Sequence, residues 1–279
     1  MVETCYKGIV MRFSVCTDIH YGFDQANKKG SQAARLIERF IRVANKNRVD
    51  FSVDMGDRVI YRTPEQDLSY LKSLREHFNK AAAPHEKVDG NHDRRNLTAE
   101  QNAEVMGTPV GSYSRTYGAF RAIFWSPNVT PDKKRQLDVT ADDIQWLKDE
   151  LAASSQPCIL FSHIPLHNLP RDKMPEYADG DPEKWIFPSY YVRQSEEIRS
   201  ILEGSGKVKL CMAGHLHHNT HRMINGIHYI LHQSLVQKNE RTGHARGAFS
   251  IVDINEKTGE IKITGYGVGQ KSRQLFFTP

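Results

Sequence analysis

Val88-Asp89-Gly90-Asn91-His92-Asp93 is the stretch from which the rest of the chain is read. A glycine, an amide, an imidazole and a carboxylate follow one another after a short apolar approach. Glycine lets a backbone leave a strand in a tight turn, so the next three side chains can converge on one point. Asparagine brings a neutral oxygen ligand, histidine a proton near neutral pH, and aspartate a group to orient it. Four other stretches carry matching groups: Asp18-Ile19-His20, Gly56-Asp57, His163 and Gly214-His215-Leu216-His217.

The 279 residues suffice for one large α/β domain or two small ones. The net charge of +5 is modest and does not mark a nucleic-acid groove, so nucleic acid is not an expected partner. No apolar run is long enough to span a membrane, and Met1 to Val10 lacks the apolar core of a secretory signal. Cys5, Cys16, Cys158 and Cys211 show no zinc-type spacing. The last three lie in apolar, strand-like runs, and buried thiols suit a reducing cytoplasm, the expected location.

Taken in order, Arg12 to Thr17 reads as a first strand, with Asp18 and His20 at its end. Gly22 to Gly30 reads as a polar loop in which Lys28 and Lys29 are solvated, and Ser31 as a helix cap. Ala34, Ile37, Phe40, Ile41 and Ala44 then recur at helical spacing. Asp50 to Met55 reads as a second strand, Pro64 to Lys80 as a helix, and Ala81 to Val88 as a weak strand. Arg94 to Met106 is read as a short helix, and Ser112 to Tyr117 with Ala119 to Trp125 as an antiparallel pair. Thr140 caps a helix that runs to Leu151. Pro157 to Phe161 and Val208 to Met212 read as buried strands, with a helix from Ser195 to Leu202 between them. Asn225-Gly226 and Thr258-Gly259 mark hairpin turns. This layout suggests one α/β domain over 1–279, a two-sheet sandwich flanked by helices, with a lid-like insertion around 164–192.

Every candidate ligand falls at a strand end. Asp18, His20, Asp57, Asn91, His163, His215 and His217 are too many for one metal and suit two. Hard oxygens mixed with imidazoles favour manganese, iron or zinc. Paired ions about 3.5–4 Å apart clamp oxygens in phosphoryl chemistry, and one carboxylate should bridge them.

The blocks DxH, GD, GNHD, H and GHxH occur in the order found in the calcineurin-like metallophosphoesterases, which the chain resembles from Arg12 to about Asn219. The resemblance implies a four-layer α/β/β/α sandwich of two mixed β-sheets. It implies a first metal held by Asp18, His20 and His217, a second held by Asn91, His163 and His215, and Asp57 as the bridge. His92 would face the substrate in protonated form, oriented by Asp93, and Asn91 would help position the phosphate. The reaction implied is in-line attack at phosphorus by a metal-activated water. Asp50 to Asp57 and Phe161 to Leu166 resemble members that act on phosphodiesters and nucleotide pyrophosphates, as does Tyr21 after the first block. Three features depart from those members: His20 where glutamine is frequent, Trp125-Ser126-Pro127-Asn128 where an acidic residue often ends the strand, and Asp89 before GNHD. Gly56-Asp57-Arg58-Val59-Ile60-Tyr61 does not match the GDxxDRG of the protein phosphatases.

Arg58, Arg94 and Arg95 adjoin the blocks, and Arg58 and Arg94 are candidate phosphate contacts. Trp185, Phe187, Tyr190 and Tyr191 read first as packing and second as a base-stacking surface. His218, His221, His228, His232 and His244 read as solvated or structurally bonded, and His167 stays open. The expected activity is phosphodiester or pyrophosphate hydrolysis on a small phosphorylated or nucleotide-type substrate. The alternatives are a phosphomonoesterase and a non-catalytic scaffold of the same fold. Both monomers and dimers occur in the family, so a homodimer is compatible.

Overall fold

The first strand, β1 (Val10–Cys16), alternates between an apolar face of Met11, Phe13 and Val15 and a mixed face of Arg12, Ser14 and Cys16. Met11, Phe13 and Val15 enter the core between two sheets, while Cys16 packs toward helices on the outer side. Ser14 is accommodated by an Oγ–Oγ hydrogen bond of 2.8 Å to Ser52 on the neighbouring strand. The computed structural model describes residues 10–129, 131–133, 137–167 and 190–279.

In chain order the elements are β1, β2 (Asp24–Gln25), β3 (Lys28–Lys29), α1 (Ala33–Asn47), β4 (Phe51–Asp54), α2 (Pro64–Phe78) and β5 (His85–Lys87). Then come α3 (Asp93–Asn96), α4 (Ala99–Met106), β6 (Tyr113–Tyr117), β7 (Phe120–Phe124), α5 (Ala141–Ala153) and β8 (Cys158–Ser162). The chain closes with α6 (Ser195–Ser205), β9 (Val208–Ala213), β10 (Thr220–Ile224), β11 (Ile227–Leu231), β12 (Phe249–Asn255), β13 (Glu260–Tyr266) and β14 (Arg273–Phe276).

One sheet has the order β14-β13-β12-β1-β4-β5 and the other β10-β11-β9-β8-β7-β6. β1, β4 and β5 run parallel, as do β7, β8, β9 and β11, and the remaining pairs are antiparallel. Phe13, Phe51, Phe124, Phe161 and Val252 fill the space between the sheets. Leu36, Ile37 and Phe40 of α1, with Leu71 and Leu74 of α2, cover the outside of the first sheet. Ile144 and Leu147 of α5, with Ile198 and Leu202 of α6, cover the second. The result is the expected α/β/β/α four-layer sandwich of mixed sheets.

Local chemistry starts the helices where the sequence suggests. Thr63 caps α2 by accepting from the Gln66 N–H, with Pro64 behind it. Thr98 and Thr140 form capping boxes with Gln101 and Asp143. The Arg94–Met106 segment divides into α3 and α4 at Leu97-Thr98. Ser31 does not cap α1, because Gln32 occupies that position, and its hydroxyl instead donates to Asp24 Oδ1 at 2.7 Å. Gly22 to Gly30 is not simply a loop, since β2 and β3 form a small ribbon there.

Cys16, Cys158 and Cys211 are free, buried thiols, and Cys5 lies outside the described residues. Among the described residues, no helix is long and apolar enough to cross a membrane. Most of the insertion expected around 164–192, including Trp185 and Phe187, lies outside the described residues. Tyr190 and Tyr191 at its end pack with Ala213, Leu216 and Leu231.

Phe13 stacks on Phe51 at 5.1 Å and meets Phe161 edge-on at 5.3 Å, so it ties the two sheets together. Replacing it with alanine should cost about 3–5 kcal/mol by denaturant unfolding. A loss below about 1 kcal/mol would show that the inter-sheet core does not close on this ring.

Candidate metal centre

Parallel strands β1, β4 and β5 of one sheet and β8 and β9 of the other end on the same side, and each is followed by one of the five blocks. The backbone there is strained. Eight non-glycine residues have positive φ among those described, and five are Asp18 (52°), His20 (39°), Asp57 (56°), His215 (69°) and His217 (51°). An L-residue in this region costs about 1–2 kcal/mol, so its concentration at one site is a structural signature of function. Hydrogen bonds hold the turns against one another: the Asp18 N–H donates to Gly56 O and the His20 N–H to Asp57 O, both at 2.9 Å.

Two glycines make the convergence physically possible. A Cβ on Gly90 would collide with Asp57 Oδ1 and the Asp57 amide nitrogen. One on Gly214 would collide with Thr17 Oγ1.

The ligand atoms fall into groups that share members. Asp18, His20 and His217 form one and Asp57, His163 and His215 another, while His20, Asp57 and His92 lie between them. His217 Nε2 is 3.1 Å from both His20 Nε2 and Asp18 Oδ1. His163 Nε2 is 3.2 Å from Asn91 Oδ1 and 3.3 Å from Asp57 Oδ1. Asp57 Oδ2 turns the other way, 3.7 Å from His20 Nε2. Ligands about 2.1 Å from a common ion lie roughly 3.0–3.4 Å from one another, so these separations fit coordination polyhedra. Asp18 Oδ1 is buried without a hydrogen-bond partner, as expected of an atom that awaits a cation.

Supporting contacts aim the ligands. Asp18 Oδ2 accepts from Thr17 Oγ1 at 2.8 Å and from the His215 N–H at 3.1 Å, leaving Oδ1 for the site. His163 Nδ1 pairs with Met55 O at 2.7 Å, so Nε2 faces the centre. His217 Nδ1 pairs with Gln237 Oε1 at 2.8 Å. Gln237 was not foreseen from sequence, because a lone glutamine in a loop gives no motif.

Asp93 does something other than orient His92. Its carboxylate accepts from the backbone N–H groups of Asp57 (2.9 Å), Arg58 (2.8 Å) and Gly90 (2.8 Å), which fastens the second block to the third. His92 Nδ1 is buried and unpartnered among the described residues. The His92 ring packs against His20 at 4.6 Å and Tyr61 at 4.7 Å, and the His92 backbone N–H donates to Asp57 Oδ1 at 2.9 Å. Burial drives the His92 pKa down to about 3; Asp57 opposes this and Lys28 adds to it. Lys28 is half-buried, not solvated, and its Nζ lies 3.4 Å from His92 Nε2. Asp57 is held well below the ordinary carboxylate range: burial pushes upward, but His163 and His92 outweigh it.

Arg58 cannot reach a substrate. It is 0% exposed and donates to Asp54, Asp89, Val88 O and Asn102. Arg94 turns toward Asp89 at 3.6 Å rather than to the centre. Arg95 instead lies 4.1 Å over the Tyr61 ring that packs on His92. The Asp89 backbone N–H donates to Ser126 Oγ at 2.7 Å, while the Asp89 carboxylate accepts from Arg58 and from Lys87. Burial would raise the Asp89 pKa, but Lys87 and Arg58 hold it at about 2. Tyr21 packs toward Tyr70 and His77 of α2. His232 is bonded to Gln233 O and Ser250 Oγ, and His221 to His228, so these are structural. His167 is buried beside Tyr229.

The family model described as calcineurin-like phosphoesterase matches residues 11–219. No curated protein shows significant sequence similarity to the chain. A dimetal phosphatase from Danio rerio shares the fold with a TM-score of 0.76 at 15% identity, covering 96% of this chain and 99% of that one. A purple acid phosphatase, PPD1, from yellow lupin (Lupinus luteus) seeds gives 0.63 at 12% identity, covering 97% of this chain and 54% of that one. GAP50, the anchor in the inner membrane complex of Plasmodium, gives 0.62 at 16% identity, covering 97% and 90%.

Arg58→Met should destabilise the protein by about 3–5 kcal/mol, because Asp54, Asp89 and Asp93 would remain buried without their shared cation. Urea unfolding of the two proteins measures this. Equal midpoints would mean that the carboxylates are neutralised in another way.

Proposed function

Because the chain belongs to the calcineurin-like phosphoesterase family, we propose that its strand-end centre binds two metal ions and hydrolyses phosphodiesters or nucleotide pyrophosphates. The observation that carries the two-ion reading is the orientation of Asp57, whose oxygens address different histidines, Oδ2 toward His20 and Oδ1 toward His163. In this reading Asp18, His20 and His217 hold one ion, Asn91, His163 and His215 the other, and Asp57 serves both. The donor set of imidazoles with hard oxygens suits manganese, iron or zinc. When bound, the ions neutralise phosphoryl charge and activate a water for attack at phosphorus.

The chain's own contribution is positioning. His92, whose Nδ1 is buried without a partner among the described residues, would face the substrate and donate to a phosphoryl oxygen, stabilising the transition state or protonating the leaving oxygen. Its ring is held by His20 on one side and Tyr61 on the other. Asn91, beside His163, contributes its amide oxygen to an ion and its amide nitrogen to the phosphate. Asp93 preserves the geometry by holding three backbone amides, and it does not touch the substrate.

The preference for a second substituent on phosphorus is supported by the surface that Arg95 and Tyr61 form beside His92. A stacked guanidinium and phenol can take a base, or the second phosphate of a pyrophosphate. Monoester hydrolysis is the competing reading, favoured by the likeness in fold to two phosphatases. An anchoring role like that named for GAP50 is opposed by the complete set of convergent ligands.

Metal-loaded protein should cleave bis(p-nitrophenyl) phosphate faster than p-nitrophenyl phosphate, and cyclic AMP, ADP-ribose and CDP-choline then narrow the class. Monoester preference would replace the diester reading, and no turnover with manganese, zinc or iron would favour an anchor. Asp57→Ala should lose both ions on dialysis, whereas His92→Ala should keep both and lose about 10²–10⁴-fold in turnover. Retention of both ions by Asp57→Ala would contradict bridging.

A further inference from the structure

The β2–β3 ribbon is a costly piece of backbone with no place in either sheet. Its turn puts Ala26 at φ 48°, where glycine or asparagine is usual. It is nevertheless fastened on several sides. The Lys29 N–H donates to Val236 O at 2.9 Å, and the Lys238 N–H to Asn27 O at 2.7 Å. Lys28 bridges antiparallel to Gln237, the residue that holds His217. Just beyond the ribbon, a Cβ on Gly30 would come within 2.5 Å of both His20 O and Phe23 O, so the ribbon is closely docked on the first ligand block.

Side chains alternate along a strand, and the two lysines show the consequence. Lys29 pairs with Asp24 at 3.0 Å. Lys28 turns the other way and places Nζ 3.4 Å from His92 Nε2. Among the described residues, no carboxylate lies within ion-pair distance of Lys28, in contrast to the buried Lys87, which has Asp89 at 2.8 Å. Asp57 and Asp18 attract its ammonium from beyond pairing distance, so the side chain faces the centre with donor capacity left for a phosphoryl oxygen.

We propose that Lys28 is a substrate-contacting residue, its ammonium donating to a non-bridging oxygen of the phosphoryl group that His92 also addresses. This rests on the phosphoesterase reading for its ligand. It explains why the strained ribbon is built against Gln237 and His20. Lysine suits this task as a compact point charge that tolerates changes in phosphoryl geometry during reaction.

The test is binding of inorganic phosphate to the full chain loaded with manganese, by calorimetry, with metal content and thermal melting recorded for each variant. Lys28→Gln should keep both ions and an unchanged melt, yet bind phosphate about 10–100-fold more weakly. Lys28→Arg should recover most of the affinity, and Lys29→Gln should match the unaltered protein. The proposal is overturned if Lys28→Gln binds phosphate normally, if it loses metal, or if the unaltered protein binds no phosphate. Turnover is read separately: an unaltered protein that binds phosphate through Lys28 but hydrolyses nothing in the substrate panel defeats the hydrolase reading and leaves the Lys28 assignment standing.

Discussion

The carboxylate of Asp57 faces two clusters of imidazoles at once, and much of the surrounding structure is arranged so that it can. Its residue sits at φ 56°, between Gly56 and a buried arginine. The Asp57 amide is held by Asp93, its carbonyl by the His20 N–H, and its Oδ1 by the His92 N–H. Three of the five blocks therefore meet on one residue. Such a turn is unfavourable by itself and persists because its surroundings over-determine it.

Beneath this turn lies a second, purely structural, charge cluster. Arg58, Asp54, Asp89, Asp93 and Lys87 are all buried, and they pair with one another rather than with solvent. Removing charges from water is expensive, and only close pairing with full hydrogen bonding compensates. The cluster occupies the space between β4 and β5 and the blocks that follow them. It converts residues resembling phosphate ligands into a foundation for the centre above. The positive charge that remains close to His92 comes from a different part of the chain, the small ribbon that carries Lys28.

A site assembled in this way is rigid where ligands must converge. His163 and His217 each have one ring nitrogen occupied by an oxygen of the protein, which sets the direction of the other. Oxygen atoms of Asp18 are similarly divided between support and site. Pre-orientation of this kind reduces the reorganisation needed when a cation or a phosphoryl group arrives.

The ligand blocks, the strands before them and the helices between were legible in the sequence, because each depends on short-range signals. Strand ends follow from apolar runs, helix starts from Thr63, Thr98 and Thr140, and candidate ligands from residue type and the order of the blocks. Even the departure at Asp89 was visible, though not its reason. What only the tertiary structure decided is which way side chains point once distant segments pack. Arg58 is adjacent to a ligand in sequence but is drawn inward by three carboxylates. Asp93 follows His92 directly and bonds to backbone amides instead. Lys28 looks solvated in a polar loop and is turned inward where it bridges to Gln237, a loop residue more than two hundred positions away. Gln237 has no motif at all and gains its role from one hydrogen bond. Residue type limits what a side chain can do, but the packing of remote segments determines what it meets.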